Sequence, residues 1–492
     1  MAAPADAHKL VLRGGATAAF GYVIRFGARL LFLLLVARLF GAALFGAYTL
    51  GVAAVELAAA GAGLGMKRYL FHLIEERDPE RPPVHVVLDA FLLVAAAGGV
   101  LALGLAGAVQ LLPAGAIAPD TALALVVLAP IVAVQALIDL SLAATRWTRK
   151  MRHEVAARSL VEPYVGIAAA AAAYAAGFDR SGLLISYWAG SLAALAYAVF
   201  GARACYGGFA IKSYARPPGG YVALARRTML PAFTDLISAL FARLDLYLVG
   251  MLLGEAPAGI YGMARQIRTP VRQVRQSFDF MLTPLLARTL SARGAREAGF
   301  AAASAGRLIL AIQLPILIGL AVIGQPLLAW LGPEFADAYW PLILLGLAEA
   351  MLGAFGVGEL ILLYRRPALG LWVIGASIAA NTVAALLLVD KLGLDGAALA
   401  VLIAVAAGAM IRRVMLARCF GIVIPFTYGA GPVVAAVSAL AAVLLADTLL
   451  HLPALGAAGV GLAVGFGVYA AALAGWVRVS GQPLGLVNLE AE

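Results

Sequence analysis

The segment Ala264–Asp279, ARQIRTPVRQVRQSFD, decides how this chain is read. It places Arg265, Arg268, Arg272 and Arg275 at helical spacing inside a stretch, 259–287, that reads as membrane-spanning. On a helix the four side chains fall within roughly an 80° arc, and Asp279 continues the stripe one turn on. A charged side chain near the bilayer centre costs at least about 2.5–3.5 kcal/mol on insertion scales. Several on one helix are tolerable only if that face meets water, a partner charge or a substrate. The expectation is a cationic pathway in the membrane, with an anion as its natural guest.

Composition supports the membrane reading. The 492 residues are 63% hydrophobic and only 13% charged, and mean hydropathy is +0.96. This excludes an ordinary soluble globular protein and fits a polytopic, all-α membrane protein. The 54 glycines, with abundant alanine, suit close helix packing in lipid. Cys205 and Cys419 fall at expected cytoplasmic helix ends, so they are read as reduced thiols rather than a disulfide or metal framework. The net charge of +10 is spread over many short loops. Positive-inside topology therefore accounts for it better than a nucleic-acid partner. Residues 1–10 lack a cleavable signal pattern, so the first apolar stretch is expected to remain as a helix.

Apolar stretches long enough to span occur about fourteen times. They are 15–37, 44–66, 86–111, 119–143, 155–177, 182–204, 228–253, 259–287, 305–328, 338–363, 368–389, 394–416, 428–450 and 454–477. Every second loop is basic, as at Lys67, Arg68, Arg77 and Arg81, at Arg365 and Arg366, and at Arg412, Arg413 and Arg418. The intervening loops offer only Arg38, Arg180 and Lys391. Both termini are therefore expected in the cytoplasm. The outer loops are short, as at 112–119, 254–258 and 330–338, and leave no room for an external catalytic domain.

The chain also repeats itself. Gly41-Ala-Ala-Leu-Phe-Gly46-Ala-Tyr48 and Gly254-Glu-Ala-Pro-Ala-Gly259-Ile-Tyr261 share G-x4-G-x-Y at a separation of 213 residues. Cys205-Tyr206-Gly207 matches Cys419-Phe420-Gly421, and the turn at Gly182 matches that at Gly396, both 214 residues apart. Six helices per unit give both units one orientation, a parallel repeat. The expected division is an N-lobe at 1–208, a C-lobe at 209–421 and an extra helix pair at 422–492. Two such lobes rocking about a cleft are suited to alternating access.

Charge in the expected helices supplies the candidate site. Arg25 and Arg29 share a face of the first helix at i, i+4. With Arg265, Arg268, Arg272 and Arg275 they are candidates to bind a phosphate-bearing headgroup, since guanidinium forks bind phosphate bidentately. Among these, Arg268 and Arg272 are favoured, because Arg265 and Arg275 lie toward opposite faces and are placed to snorkel. Glu56, Glu162, Asp235, Asp245 and Asp279 are candidates for coupling to a proton or sodium gradient. The competing reading is that arginines and carboxylates neutralise each other as structural ion pairs. Gln266, Gln273 and Gln276 are candidates to bond sugar hydroxyls. Pro231, Pro270, Pro284 and Pro315 mark kinks. No phosphate loop, zinc-type histidine pair or serine elbow is present in the sequence, so no enzyme, cofactor or metal is expected.

Several short motifs resemble a known family. Ala37-Arg38-Leu-Phe-Gly41 with Phe45-Gly46-Ala-Tyr48, then Leu244-Asp245-Leu-Tyr-Leu-Val-Gly250 and Ala258-Gly259-Ile-Tyr261-Gly-Met-Ala264, resemble oligosaccharide flippases of the polysaccharide transporter family. Leu282-Thr-Pro284 and Gly393-Leu-Asp-Gly396-Ala-Ala398 extend the likeness along the chain. The resemblance implies a fourteen-helix, two-lobed transporter of the multidrug/oligosaccharidyl-lipid/polysaccharide superfamily. It implies movement of undecaprenyl-pyrophosphate-linked oligosaccharide across the bacterial cytoplasmic membrane for surface polysaccharide synthesis. The implied partners are the lipid-linked oligosaccharide, membrane lipids, and a polysaccharide polymerase or other assembly proteins. A lipid II flippase is the nearest alternative. A multidrug exporter is disfavoured by the arginines, and a polymerase or ligase by the short outer loops.

Overall fold

Lipid offers no partner to a backbone N–H or C=O, so a chain this apolar must satisfy its backbone inside helices or closed barrels. The computed structural model is built from helices, with no strand among the described residues. These are residues 26–113, 115–148, 150, 152–208, 214, 217, 219–424, 426–450 and 454–480. Two compact units are present, one of Met1–Arg243 with Gly254–Gly259, the other of Leu244–Leu253 with Ile260–Glu492. This grouping is by proximity, whereas the boundaries expected at 208 and 421 follow the sequence repeat, a different criterion.

The first unit opens with helix α1, seen from residue 26 to 39. It continues with α2 (Gly41–Ala62), α3 (Met66–Glu75), α4 (Pro83–Leu111), α5 (Pro119–Leu128) and α6 (Ile131–Trp147). Next come α7 (Arg152–Ala156), a π-helical turn (Ala157–Val161), α8 (Glu162–Ala175), α9 (Gly182–Cys205), α10 (Gly220–Arg227) and α11 (Met229–Phe241). Helix α2 is the hub, packed along its length by α4, α5, α6 and α11. The core around it is aliphatic, with Leu70, Ile74, Val87, Val94, Leu128 and Ile131 fully buried.

In the second unit, α12 (Leu244–Leu253) packs on α18 (Pro367–Phe420). Helix α13 (Glu255–Ile267) leads into α14 (Thr269–Ala292), then α15 (Gly294–Leu331), α16 (Tyr339–Phe355) and α17 (Gly358–Arg365). Helices α19 (Ala430–Leu450) and α20 (Ala454–Ser480) pair with each other and lean on α15. Pro315 lacks the N–H that would bond the Ala311 carbonyl one turn earlier. Tyr469 of α20 supplies the missing donor, its hydroxyl 2.9 Å from the Ala311 oxygen. Sequence marked Pro315 as a kink, and the extra helix pair is what satisfies it.

Eight described helices are long and apolar enough to cross a membrane, ten if each bent pair counts as one crossing, against about fourteen expected. The difference has physical causes. The segment α18 has 54 residues, which as one straight helix at 1.5 Å per residue would be about 80 Å, more than twice a bilayer's hydrocarbon core. Gly393 breaks it at φ 57°, ψ −128°, between the expected spans 368–389 and 394–416. Span 119–143 is a bent pair, α5 and α6, turning by 49°. Span 15–37 lies partly outside the described residues. Spans 155–177 and 259–287 are helical but carry the ion-pairing residues described below.

Exposed side chains complete the membrane reading. Leu92, Val100, Leu103 and Leu111 on α4, and Val434, Val437, Leu444 and Leu449 on α19, lie on the outside. Water would penalise such surfaces, but lipid tails are their natural solvent. The chain is a multi-pass membrane protein.

Candidate functional site

The polar interior of the first unit centres on Arg158. Pro163 cannot donate to the carbonyl one turn before it, and the helix accommodates this with the π turn Ala157–Val161. Arg158 sits in that turn. Its guanidinium donates to Asp139 Oδ1 at 2.6 Å, Glu162 Oε2 at 2.8 Å and Gln135 Oε1 at 3.1 Å. The Gln135 amide in turn donates to Ser191 Oγ at 3.1 Å and Tyr187 Oη at 3.3 Å. Lys67 reaches Asp139 Oδ2 at 3.2 Å. Two further pairs hold α11: Arg68 with Asp235 at 2.7 Å, and Arg243 Nε with Glu56 Oε2 at 2.8 Å.

Sequence reading assigned Lys67 and Arg68 to a loop, but both lie on α3 and join these networks. The signal was available. The apolar run of α6 carries Gln135 and Asp139 at i, i+4, two polar groups on one face of an otherwise greasy helix.

In the second unit the arginine stripe divides in two. Arg265 pairs with Asp245, which also accepts the Tyr261 hydroxyl at 3.1 Å. Arg268 pairs with Glu349 at 2.8 Å, and both side chains are buried. Arg272 and Arg275 are half-buried, and no carboxylate among the described residues lies within ion-pair distance of either. The Nε of Arg275 is buried without an acceptor among the described residues.

The stripe is also not on one helix. Helix α13 ends at Ile267 and α14 begins at Thr269, with Arg268 at the joint. Pro270 in the first turn of α14 explains the interruption. Deeper along α18, Arg412 pairs with Glu359 at 3.2 Å.

The remaining candidates are placed as follows. Arg29 is half-buried on α1, while Arg25 lies outside the described residues. Asp279 is on α14, but its side chain lies outside the described residues. Glu56, Glu162, Asp235 and Asp245 each hold a cation. The described side chains therefore hold two kinds of charge: paired charges, whose cost is offset locally, and Arg272 and Arg275, which have no described carboxylate in ion-pair distance.

The described residues thus define a helical membrane body with arginines and carboxylates held between apolar helices. Comparison with known proteins then narrows the class. The chain belongs to the polysaccharide biosynthesis protein family, whose sequence profile matches residues 35–339. Its fold is similar to that of a lipid II flippase, MurJ, in an inward closed conformation, with a TM-score of 0.74 at 14% identity. That match covers 94% of this chain and 100% of the other. It is also similar to a multidrug resistance MATE family transporter of the MOP superfamily, inward-facing, with a TM-score of 0.65 at 13% identity. There the cover is 80% of this chain and 94% of the other. At these identities the likeness is one of fold. No curated sequence matches the chain. The superfamily that the sequence motifs resembled is the one whose fold the protein has.

Proposed function

We propose that this protein is a flippase that moves undecaprenyl-pyrophosphate-linked oligosaccharide across the bacterial cytoplasmic membrane by alternating access. The observation that carries this reading is the pair Arg272 and Arg275, two half-buried arginines on α14 with no described carboxylate beside them. An arginine kept in a membrane helix with no described carboxylate in ion-pair distance is suited to meet an anion for part of its working cycle. A pyrophosphate offers two adjacent anionic groups that match guanidinium forks. Arg265 and Arg268 extend the positive field, and Arg25 and Arg29 are its expected counterparts in the first lobe. Membership of the polysaccharide biosynthesis protein family supports a saccharide-bearing cargo.

In this reading the two six-helix repeats, 1–208 and 209–421, are the rocking bodies, and both termini face the cytoplasm. A proton or sodium gradient biases the cycle through Asp279 or the paired carboxylates Glu56, Glu162, Asp235 and Asp245. The protein carries out transport rather than bond chemistry, and hands its cargo to a polymerase or other assembly protein on the outer side.

The test is transport of a fluorescent lipid-pyrophosphate-oligosaccharide in proteoliposomes, wild type against the Arg268→Ala/Arg272→Ala variant. Transport lost in a folded variant supports the reading. Equal transport makes the stripe structural. Transport of lipid II in preference to the oligosaccharide lipid assigns the protein to peptidoglycan instead.

A further inference from the structure

Gln313 lies in the apolar run Leu308–Leu320 of α15 and is fully buried. An amide there costs free energy unless it is bonded, so its bonds are informative. Its Nε2 donates to the Val271 carbonyl of α14 at 2.9 Å and to the Glu349 carbonyl of α16 at 3.3 Å. One amide thus ties three helices at one level. Val271 lies between Arg268 and Arg272 in sequence, and Glu349 is the counter-charge of Arg268. Oε1 finds no donor among the described residues. It faces Gly353, where a Cβ would fall 2.0 Å from it, so the missing side chain at 353 makes the slot for the amide.

We infer that Gln313 is a positioning residue that sets the depth and rotation of the arginine-bearing start of α14, and so the presentation of Arg272 to a pyrophosphate group. The inference rests on the proposed function for what Arg272 meets. Backbone carbonyls are the targets, so the amide fixes the helix itself rather than any one side chain. Its two donors are both spent. A leucine at 313 would fill similar volume but leave α14 free to slide and turn against α15 and α16. A small rotation at the level of Val271 swings a long arginine by ångströms, which is enough to misplace a bidentate contact.

The test uses the full-length protein in detergent, with farnesyl pyrophosphate and farnesol as probes and the melting temperature as control. Wild type is expected to bind the pyrophosphate in preference to the alcohol. Gln313→Leu is expected to weaken farnesyl pyrophosphate binding about tenfold, about 1.4 kcal/mol, and to leave farnesol binding unchanged. Gly353→Ala, which drives a Cβ against the amide oxygen, is expected to give the same selective loss. It decides the question alone if Gln313→Leu does not fold. Wild-type pyrophosphate affinity in the folded variants overturns the inference, as does equal loss for both probes, which is the mark of packing alone. Wild type with no preference for the pyrophosphate removes the arginine reading and this inference together. Preference kept in wild type and in the variants alike removes only the inference.

Discussion

Two kinds of arginine share the start of the second unit, and substitution should separate them. Arg268 and Glu349 form a buried pair at 2.8 Å. Removing one member leaves a buried charge uncompensated, a loss of about 3–5 kcal/mol. Glu349→Ala should therefore lower the melting temperature sharply in detergent. The double variant Arg268→Leu/Glu349→Leu should recover most of that loss. Arg272 makes no ion pair among the described side chains, so Arg272→Ala should cost far less stability than Glu349→Ala. Arg272→Glu should insert normally and abolish transport. Surface polysaccharide at wild-type level in an Arg272→Glu strain would contradict the proposed role. The sequence made the stripe legible because arginines at helical spacing are rare in apolar runs. It left the pairing undecided, because Glu349 is 81 positions from Arg268 and only the fold brings them together. Gln313 was invisible for a related reason. A lone glutamine in an apolar helix reads as tolerated polarity until its two carbonyl partners are known.

At the scale of elements, the interruptions are where the structure departs most from an even reading of helices. The π turn at Ala157–Val161 coincides with Pro163 and aims Arg158 at three acceptors. Pro163→Ala should let the segment relax toward a regular α-helix and rotate Arg158 away from Asp139. The expected result is loss of the network, read as faster amide exchange at 157–162 with the rest of the protein unchanged. Unaltered exchange there would show that the turn is imposed by packing and not by proline. Tyr469→Phe should cost about 1 kcal/mol, because the Ala311 carbonyl loses its donor inside the membrane. Prolines announce such places in sequence. The response is not announced: Pro163 is met by a π turn, Pro270 by a break between two helices, and Pro315 by a tyrosine 154 positions later. Neighbouring helices decide among these, and their identity is not local information.

Across the whole molecule, helix-forming runs were legible because lipid leaves the backbone so few choices. Orientation remains an expectation from loop charge, and Cys419 gives a direct check. It is exposed at the end of α18. A membrane-impermeant maleimide should label it in inverted membrane vesicles and not in intact spheroplasts. The reverse pattern would invert the topology. What no single stretch revealed is that the repeated G-x4-G-x-Y motif meets itself. Gly46 and Gly259 both lie in the first unit, where α2 crosses the start of α13 backbone to backbone. A Cβ on Gly46 would fall 1.8 Å from the Glu255 carbonyl oxygen, and one on Gly259 would fall 2.0 Å from that of Ala42. Thr121 adds a bond to Glu255 through its own N–H at 2.7 Å. The consequence is genetic. Most tight contacts can be repaired, since an enlarged residue on one side is offset by a reduced one opposite. Here the atoms met are the main-chain oxygens of Glu255 and Ala42, which every residue carries, so no substitution opposite can surrender them. A suppressor of Gly259→Ala cannot arise at Gly46 or Ala42, and would have to arise at a distance, by shifting a helix.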